Sequence, residues 1–257
     1  MLLPAKRMLQ KLVYGIFPCL QSWISEPKIG FENVTRRDAW VVSTLGRVPP
    51  GLRIMDLGAG EQPYRRWCRH LRYVSQDFRG YDGKGDGRGL QTGEWNQKDI
   101  DIVCDITKIP EVDSSFDAIL CTEVIEHVPE PIAALHECAR LLKPGGTLIL
   151  TAPFISFTHF APYHYHTGFN RYFFEHHLVQ AGFNIKELSF NGNFFELVAQ
   201  EVRRIPWAMD RYSTKSLRAM DRLLLRRMLN LLEEINNSNN GSEEFASFGV
   251  HVIAERA

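Results

Sequence analysis

The chain has 257 residues and no net charge, with 44% hydrophobic and 23% charged residues. This length suits one α/β domain with insertions, and the composition excludes a largely disordered chain. A neutral chain with no basic patch among aromatic residues also argues against a nucleic-acid partner. No run approaches the roughly 20 apolar residues that span a bilayer.

The N-terminal part, residues 1–46, is predicted to be a helical extension. Its longest apolar run, 12–20, is short, holds a glycine and a proline, and lacks a small-residue cleavage site after it. These features disfavour a signal peptide. A helix packed on the domain is expected, with weak contact to a membrane surface as the alternative.

The five cysteines are odd in number and form no CxxC pair. We interpret them as buried free thiols in a reducing compartment, which favours a cytoplasmic protein and argues against a structural zinc site.

Strand-like and helix-like segments alternate from Arg53 onward. The predicted strands are "RIMDL", "RYVSQDF", "DIVCDI", "FDAILCT" and "TLILTAPF". Helices are predicted for "EQPYRRWCRHL", where four apolar residues have helical spacing, and for "PEPIAALHECARLLKPGG", which has prolines at its start and glycines at its end. Such alternation predicts an α/β fold with a doubly wound, parallel sheet.

Two segments interrupt this alternation. Residues 79–97 carry six glycines and no apolar period, where a helix is expected between strands two and three. Residues 201–243 hold a helix with an apolar side and an arginine stripe formed by Arg218, Arg222 and Arg226. The stripe is typical of a solvated face, and the apolar side favours either a cover for the core or a homodimer interface.

The glycine loop after the first strand, "RIMDLGAGEQPY", lacks the third glycine of a dinucleotide fingerprint. Asp56 and Glu61 add negative charge where a pyrophosphate would lie, and like charges repel. A cofactor with positive charge removes this conflict. S-adenosylmethionine carries an ammonium and a sulfonium group, so the loop favours it.

Acidic side chains follow the next strands. Asp77 ends strand two. Its spacing along the chain from Asp56 is typical of an acid that accepts hydrogen bonds from ribose hydroxyls. Asp105 ends strand three, where it could accept from an adenine amino group, with Ile106 packed on the ring. Thr122 and Glu123 end strand four over the same crevice.

The segments "IMDLGAGEQPY", "SQDF", "CDITKIP", "FDAILCTEVIEHVPEP" and "LLKPGGTLILTAPF" resemble class I S-adenosylmethionine-dependent methyltransferases of the type 11 group. The resemblance implies a Rossmann-like sheet of seven strands, mostly parallel, with "FGVHVIAERA" as an antiparallel last strand. The methyltransferase domain would be residues 47–257, with helical additions at the N-terminus and before the last strand.

The resemblance also implies the cofactor and its contacts. The methionine end of S-adenosylmethionine would be held by Asp56 and by the glycine loop, Gly58, Ala59 and Gly60. Its ribose would be held by Asp77, and its adenine by Asp105 with Ile106.

The segment after strand five, "FISFTHFAPYHYHTGFNRYFFEHH", is rich in histidine and aromatic residues. We interpret it as an acceptor lid, with His164 or His166 as a base and with Tyr163 and Arg171 contacting the substrate. A second interpretation is ordinary packing. A third is a metal site formed by the histidines at 159, 164 and 166, which we do not favour because no nearby carboxylate or cysteine completes the set.

His127, in "EVIEHVPEP", is expected to orient the loop beside the cofactor rather than to act in catalysis.

The sequence thus predicts an enzyme that transfers a methyl group from S-adenosylmethionine to an oxygen of a small molecule or glycan. The alternative is a catalytically inactive binding module of the same fold that acts through a partner. The missing third glycine and the acid at Asp56 count against a nicotinamide-dependent oxidoreductase.

Overall fold

The computed structural model describes residues 26–257, so the apolar run 12–20 of the predicted N-terminal helical extension lies outside the described residues. The chain forms two compact units. One comprises Asn33–Asn191 and Ala246–Ala257, and the other includes Gly192–Phe245 together with residues 26–32. The division into an extension, residues 1–46, and a domain, residues 47–257, stays a prediction.

Seven strands form one sheet in the first unit. They are β1 (Arg53–Leu57), β2 (Arg72–Asp77), β3 (Ile102–Val103), β4 (Phe116–Thr122), β5 (Leu142–Pro153), β6 (Phe183–Asn191) and β7 (Gly249–Arg256). Their order across the sheet is β3-β2-β1-β4-β5-β7-β6.

The strand directions follow a doubly wound pattern. The pairs β1–β2, β1–β4, β2–β3 and β4–β5 are parallel, and β7 is antiparallel to both β5 and β6. The predicted seven-stranded, mostly parallel sheet with an antiparallel last strand is therefore confirmed. Because β1 lies between β2 and β4, the order reverses there, and the loops after these strands meet at one edge.

Three helices belong to the same unit: α1 (Asn33–Arg47), α2 (Pro131–Leu141) and α3 (Arg171–Gln180). Helix α2 confirms the helix predicted for "PEPIAALHECARLLKPGG". Its Leu135 and Cys138 are buried, whereas Ile132 is 40% exposed. Helix α3 begins where the Asn170 side chain accepts a hydrogen bond from the Phe173 amide, as an N-cap residue should.

The helix predicted for "EQPYRRWCRHL" is wrong. The segment forms only a short 3-10 turn, Arg65–Trp67. Gln62 has a φ of +57°, which interrupts a right-handed helix, and Pro63 follows it. Tyr64 and Cys68 are nevertheless buried, so the apolar spacing reflects burial in a compact loop rather than helical periodicity.

The second unit holds two long helices, α4 (Phe194–Tyr212) and α5 (Ala219–Asn236). They pack around a small cluster of Ile29, Ala199, Val202 and Leu229. Arg226 of the predicted arginine stripe forms an ion pair with Glu26 at 3.2 Å.

No helix within residues 26–257 has both the length and the apolar character that a membrane crossing requires.

The core of the first unit allows a direct stability test. Phe116 is fully buried at the start of β4, whereas Val112 is 74% exposed. We expect Phe116→Ala to lower the free energy of unfolding by about 3–5 kcal/mol, because it removes buried surface and leaves a cavity. Val112→Ala, the control, should change it by less than about 0.5 kcal/mol. Urea denaturation measures both values, and equal effects would contradict this assignment of the core.

Candidate functional site

A cavity of about 260 Å³ opens at the carboxyl ends of the parallel strands. Its walls come from the loops after β1, β2, β3 and β4, from the glycine-rich segment 79–97, and from the segment after β5. The lining residues are Gly58, Gln76, Asp77, Phe78, Tyr81, Trp95, Asp105, Ile106, Glu123, Val124, His127, Val128, Pro129, Phe160, Tyr163 and Tyr165.

The glycine loop is shaped by two close approaches. Gly58 has a φ of +64°, and a Cβ there would lie 2.5 Å from Cγ2 of Val124 in the loop after β4. Gly60 has a φ of +52°, and a Cβ there would lie 3.0 Å from the Trp95 ring. Both positions therefore require glycine for backbone conformation and for space.

Asp77 is buried beside this loop and lines the cavity. Its Oδ2 accepts from the Gly60 amide at 3.0 Å, and its Oδ1 accepts from the Arg79 amide at 2.7 Å. The neighbouring Gln76 accepts a hydrogen bond from the Gly58 amide and donates one to the carbonyl of Cys104. Asp77 thus supports the turn of the glycine loop as well as facing the cavity.

Asp105 and Ile106 also line the cavity, beyond β3. Thr107 donates to Oδ1 of Asp105 from both its amide and its hydroxyl, at 2.8 and 2.7 Å. Both bonds fall on one oxygen, so Oδ2 of Asp105 keeps its capacity to accept from a ligand.

Glu123 follows β4 and lines the cavity with an unusual φ of +54°. Thr151 donates to its Oε1 at 2.9 Å, and Arg37 of α1 lies 3.4 Å from its Oε2. These two contacts fix the carboxylate. Left-handed conformations of non-glycine residues are typical of functional sites, where surrounding contacts maintain them.

Four of the predicted cofactor residues do not line the cavity: Asp56, Ala59, Gly60 and Thr122. Asp56 is only 2% exposed and accepts a hydrogen bond from the Tyr73 hydroxyl at 2.6 Å. Burial raises the pKa of Asp56 to about 7, although the Tyr73 hydrogen bond opposes this shift.

Sequence reasoning missed an aromatic wall of the cavity, formed by Phe78, Tyr81, Trp95 and Phe160. Tyr81 and Trp95 of the glycine-rich segment pack against Phe160, with ring centroids 4.6 and 5.2 Å from it. Phe78 adds an edge contact to Tyr163 at 5.0 Å. The segment has no periodicity that would reveal these contacts, and only its two aromatic residues among many glycines could have indicated a binding role.

The predicted acceptor residues separate into two groups. Tyr163 lines the cavity, whereas Arg171, His164 and His166 do not. Arg171 lies on α3, where it forms an ion pair with Glu175 at 2.7 Å. Nε2 of His164 lies 3.1 Å from the Ser156 hydroxyl, and burial lowers the pKa of His164 to about 4.

His127 lines the cavity from a 3-10 turn, Ile125–His127. Its Nδ1 lies 2.5 Å from the carbonyl of Tyr163. Burial, together with the nearby His159 ring, lowers the pKa of His127 to about 3, so its imidazole is neutral at pH 7. The adjacent Glu126 is completely buried, and burial raises its pKa well above the ordinary range.

Comparison with protein families and curated sequences gives matches to methyltransferases. Residues 55–150 match a family described as "Methyltransferase domain". The ubiquinone biosynthesis O-methyltransferase of Xanthomonas campestris pv. campestris (strain B100) is 58% identical over 41 residues, covering 16% of this chain and 17% of that protein. The demethylmenaquinone methyltransferase of Renibacterium salmoninarum is 36% identical over 116 residues, covering 43% and 44%. The chain thus matches less than half the length of either relative.

Solved structures share the fold at low sequence identity. A putative sarcosine dimethylglycine methyltransferase from Galdieria sulphuraria aligns with a TM-score of 0.51 and 16% identity, covering 87% of this chain and 85% of that one. The cyclase SpnF aligns equally well, with a TM-score of 0.51 and 18% identity over 96% and 94%. Since one of the two is named a cyclase, the fold alone does not specify the reaction.

The raised pKa of Asp56 predicts a pH-dependent stability effect. Between about pH 4 and pH 7 the folded chain keeps a proton that the unfolded chain has released, so this group's contribution to stability falls as pH rises through that window. We expect Asp56→Asn, which cannot ionise, to gain stability relative to the wild type over the same window, on the order of a few kcal/mol.

Urea denaturation at pH 4, 5.5 and 7 measures this difference. Asp99→Asn, at an exposed position, is the control and should show none. A constant difference between Asp56→Asn and the wild type would contradict the assignment of a buried, protonated carboxyl.

Proposed function

We propose that this chain, which carries a class I S-adenosylmethionine-dependent methyltransferase domain, transfers a methyl group from S-adenosylmethionine to an oxygen of a small molecule. The main support is the convergence of Asp77, Asp105 and Glu123 with Gly58 on one cavity at the carboxyl ends of the strands. This is the edge at which doubly wound sheets bind their ligands.

The residues of the cavity fit this cofactor. A cofactor with an ammonium and a sulfonium group is attracted by carboxylates and by the faces of aromatic rings. Near the glycine loop, Glu123 supplies a carboxylate and the aromatic wall supplies ring faces. Gly58 and Gly60 let the loop turn with positive φ and pack closely under Val124 and Trp95, which places its backbone beside the cavity.

The remaining contacts follow the chemistry of an adenosine. Asp77 would accept from ribose hydroxyls, and Asp105 would accept from the adenine amino group through Oδ2, with Ile106 against the ring. Asp56 would support the loop from behind, where it accepts the hydrogen bond of the Tyr73 hydroxyl. Ala59, Gly60 and Thr122 would contribute backbone shape rather than side-chain contacts.

When bound, this cofactor supplies a methyl group on a sulfonium, whose departure leaves a neutral thioether. The tasks left to the chain are to orient the acceptor, to exclude water and to receive its proton. Phe78, Tyr81 and Phe160 would exclude water from the cavity. Tyr163 and Tyr165 offer hydroxyls that could orient a polar acceptor.

For the acceptor we favour a flat, hydroxylated ring over a glycan. The cavity wall is mostly aromatic, and stacked rings favour aromatic partners. Two sequence relatives are named for ubiquinone biosynthesis and for demethylmenaquinone, and the first is an O-methyltransferase. His164, His166 and Arg171 remain predictions for an acceptor lid.

Cofactor binding can be tested by calorimetric titration of the full chain with S-adenosylmethionine, its demethylated product and NAD. We expect both adenosyl ligands to bind and NAD not to bind, because the carboxylates repel a pyrophosphate. Asp77→Asn should weaken adenosyl binding roughly tenfold or more, since it removes a charged hydrogen-bond acceptor.

Asp99→Asn, which removes an exposed carboxylate, is the matched control and should bind as the wild type does. A folded chain without affinity for either adenosyl ligand would refute the proposed function.

The acceptor side can be tested with Tyr163→Phe. Loss of one hydroxyl leaves the ring contacts in place, so cofactor affinity should stay within about twofold, while KM for the acceptor should rise severalfold. Transfer of a labelled methyl group to a catechol, a simple phenol and a hydroxylated sugar identifies the acceptor class.

Tyr172→Phe, on the exposed side of α3, is the control. Preference for the sugar would contradict a ring acceptor. Cofactor binding without transfer to any acceptor would favour the inactive binding module.

A further inference from the structure

Three side chains next to the cavity present ligand atoms to one another. One ligand atom from each of Glu126, His127 and His159 lies within 4.8 Å of the others. Two of them come from the turn after β4 and the third from the segment after β5. A cation with bonds of about 2.1 Å holds its ligands roughly 3.0–4.2 Å apart, so small side-chain movements would bring these three atoms onto one ion.

The two imidazoles are oriented in the same way. Nδ1 of His127 lies 2.5 Å from the Tyr163 carbonyl, and Nδ1 of His159 lies 2.9 Å from the Phe157 carbonyl. A carbonyl oxygen can only accept, so Nδ1 is the protonated nitrogen in both rings. Nε2 then carries the lone pair. Histidines that bind metals are held by this kind of hydrogen bond to a backbone carbonyl.

Three buried polar atoms of Glu126 and His127 lack hydrogen bonds that would otherwise explain their burial. Both carboxylate oxygens of Glu126 and Nε2 of His127 are buried without a hydrogen-bond partner among residues 26–257. Glu126 is 0% exposed. Its Oε1 lies 3.6 Å from Nε2 of His127, which is too long for a hydrogen bond.

With Glu126 ionised and the His127 ring protonated on Nδ1, these atoms are all acceptors and cannot hydrogen-bond to one another. An unpaired buried polar group is costly, and an unpaired buried charge more so. One water could donate only two hydrogen bonds. A divalent cation can accept electron pairs from the carboxylate and both imidazoles at once.

We propose that Glu126, His127 and His159 bind one divalent transition-metal ion. Two imidazoles and one carboxylate suit Zn²⁺, Mn²⁺, Co²⁺ or Fe²⁺, whereas Mg²⁺ prefers an all-oxygen shell. Three protein ligands leave coordination positions open. Because His127 also lines the cavity, the ion would border the space where an acceptor oxygen enters, and a bound cation lowers the pKa of such an oxygen.

The sequence pointed to a different set of ligands. It suggested His159, His164 and His166 as a metal site and set that site aside because no carboxylate lay nearby. The fold brings Glu126 to His159 across 33 positions of the chain. His164 contacts Ser156 instead.

The test uses the full chain, treated with a chelator and desalted, without cofactor or acceptor. Titration with Zn²⁺, Mn²⁺, Co²⁺ and Mg²⁺ is followed by calorimetry and by the melting temperature. We expect one equivalent of a transition metal to bind and raise the melting temperature. Mg²⁺ should bind at least tenfold more weakly.

Two ligand variants and one control make the assignment specific. Glu126→Gln, which keeps the shape of the side chain, and His159→Ala should each lose affinity for the metal by at least tenfold. His176→Ala removes an exposed histidine of α3 and should bind as the wild type does. Because the readout involves neither cofactor nor acceptor, it is independent of the proposed methyl transfer.

A folded wild-type chain that binds none of the transition metals would overturn the proposal. Equal affinities for the wild type, Glu126→Gln and His159→Ala would overturn it as well.

Discussion

The close contact between the loops after β1 and β4 is the constraint on which the cavity depends. Gly58 leaves no room for a side chain against Val124, and its positive φ turns the chain sharply away from β1. These loops are neighbours because β1 pairs with both β2 and β4. The carboxylates that follow the strands are therefore brought to one edge by the sheet topology, although they lie far apart in the sequence.

Burial gives the acidic groups at this edge different chemical characters. Asp77 accepts hydrogen bonds from two backbone amides, and Glu123 accepts one from Thr151 and lies beside Arg37. Asp56 and Glu126 lie deeper, and burial raises the pKa of both. The first pair is suited to polar contacts with a ligand. The second pair depends on a cation, or on a proton, to offset its burial.

The sheet could be predicted from the sequence because each parallel strand is a short apolar run bounded by turn residues, as in "FDAILCT". The helix predicted around Tyr64 failed because a single residue, Gln62, adopts a left-handed conformation that apolar spacing does not reveal. The positions of Asp77 and Asp105 beside the cavity could be predicted because each acid directly follows a strand in the sequence. The contacts of Trp95 and the Glu126–His159 approach are tertiary, and neither local propensity nor periodicity specifies them.

One backbone bridge joins the glycine-rich segment to the segment after β5, between Leu90 and His159. Trp95 of the same segment lies over the glycine loop. The covering of the glycine loop and the position of His159 therefore depend on the same pairing of two irregular segments. A substitution that disturbs this pairing would alter both sides of the cavity at once.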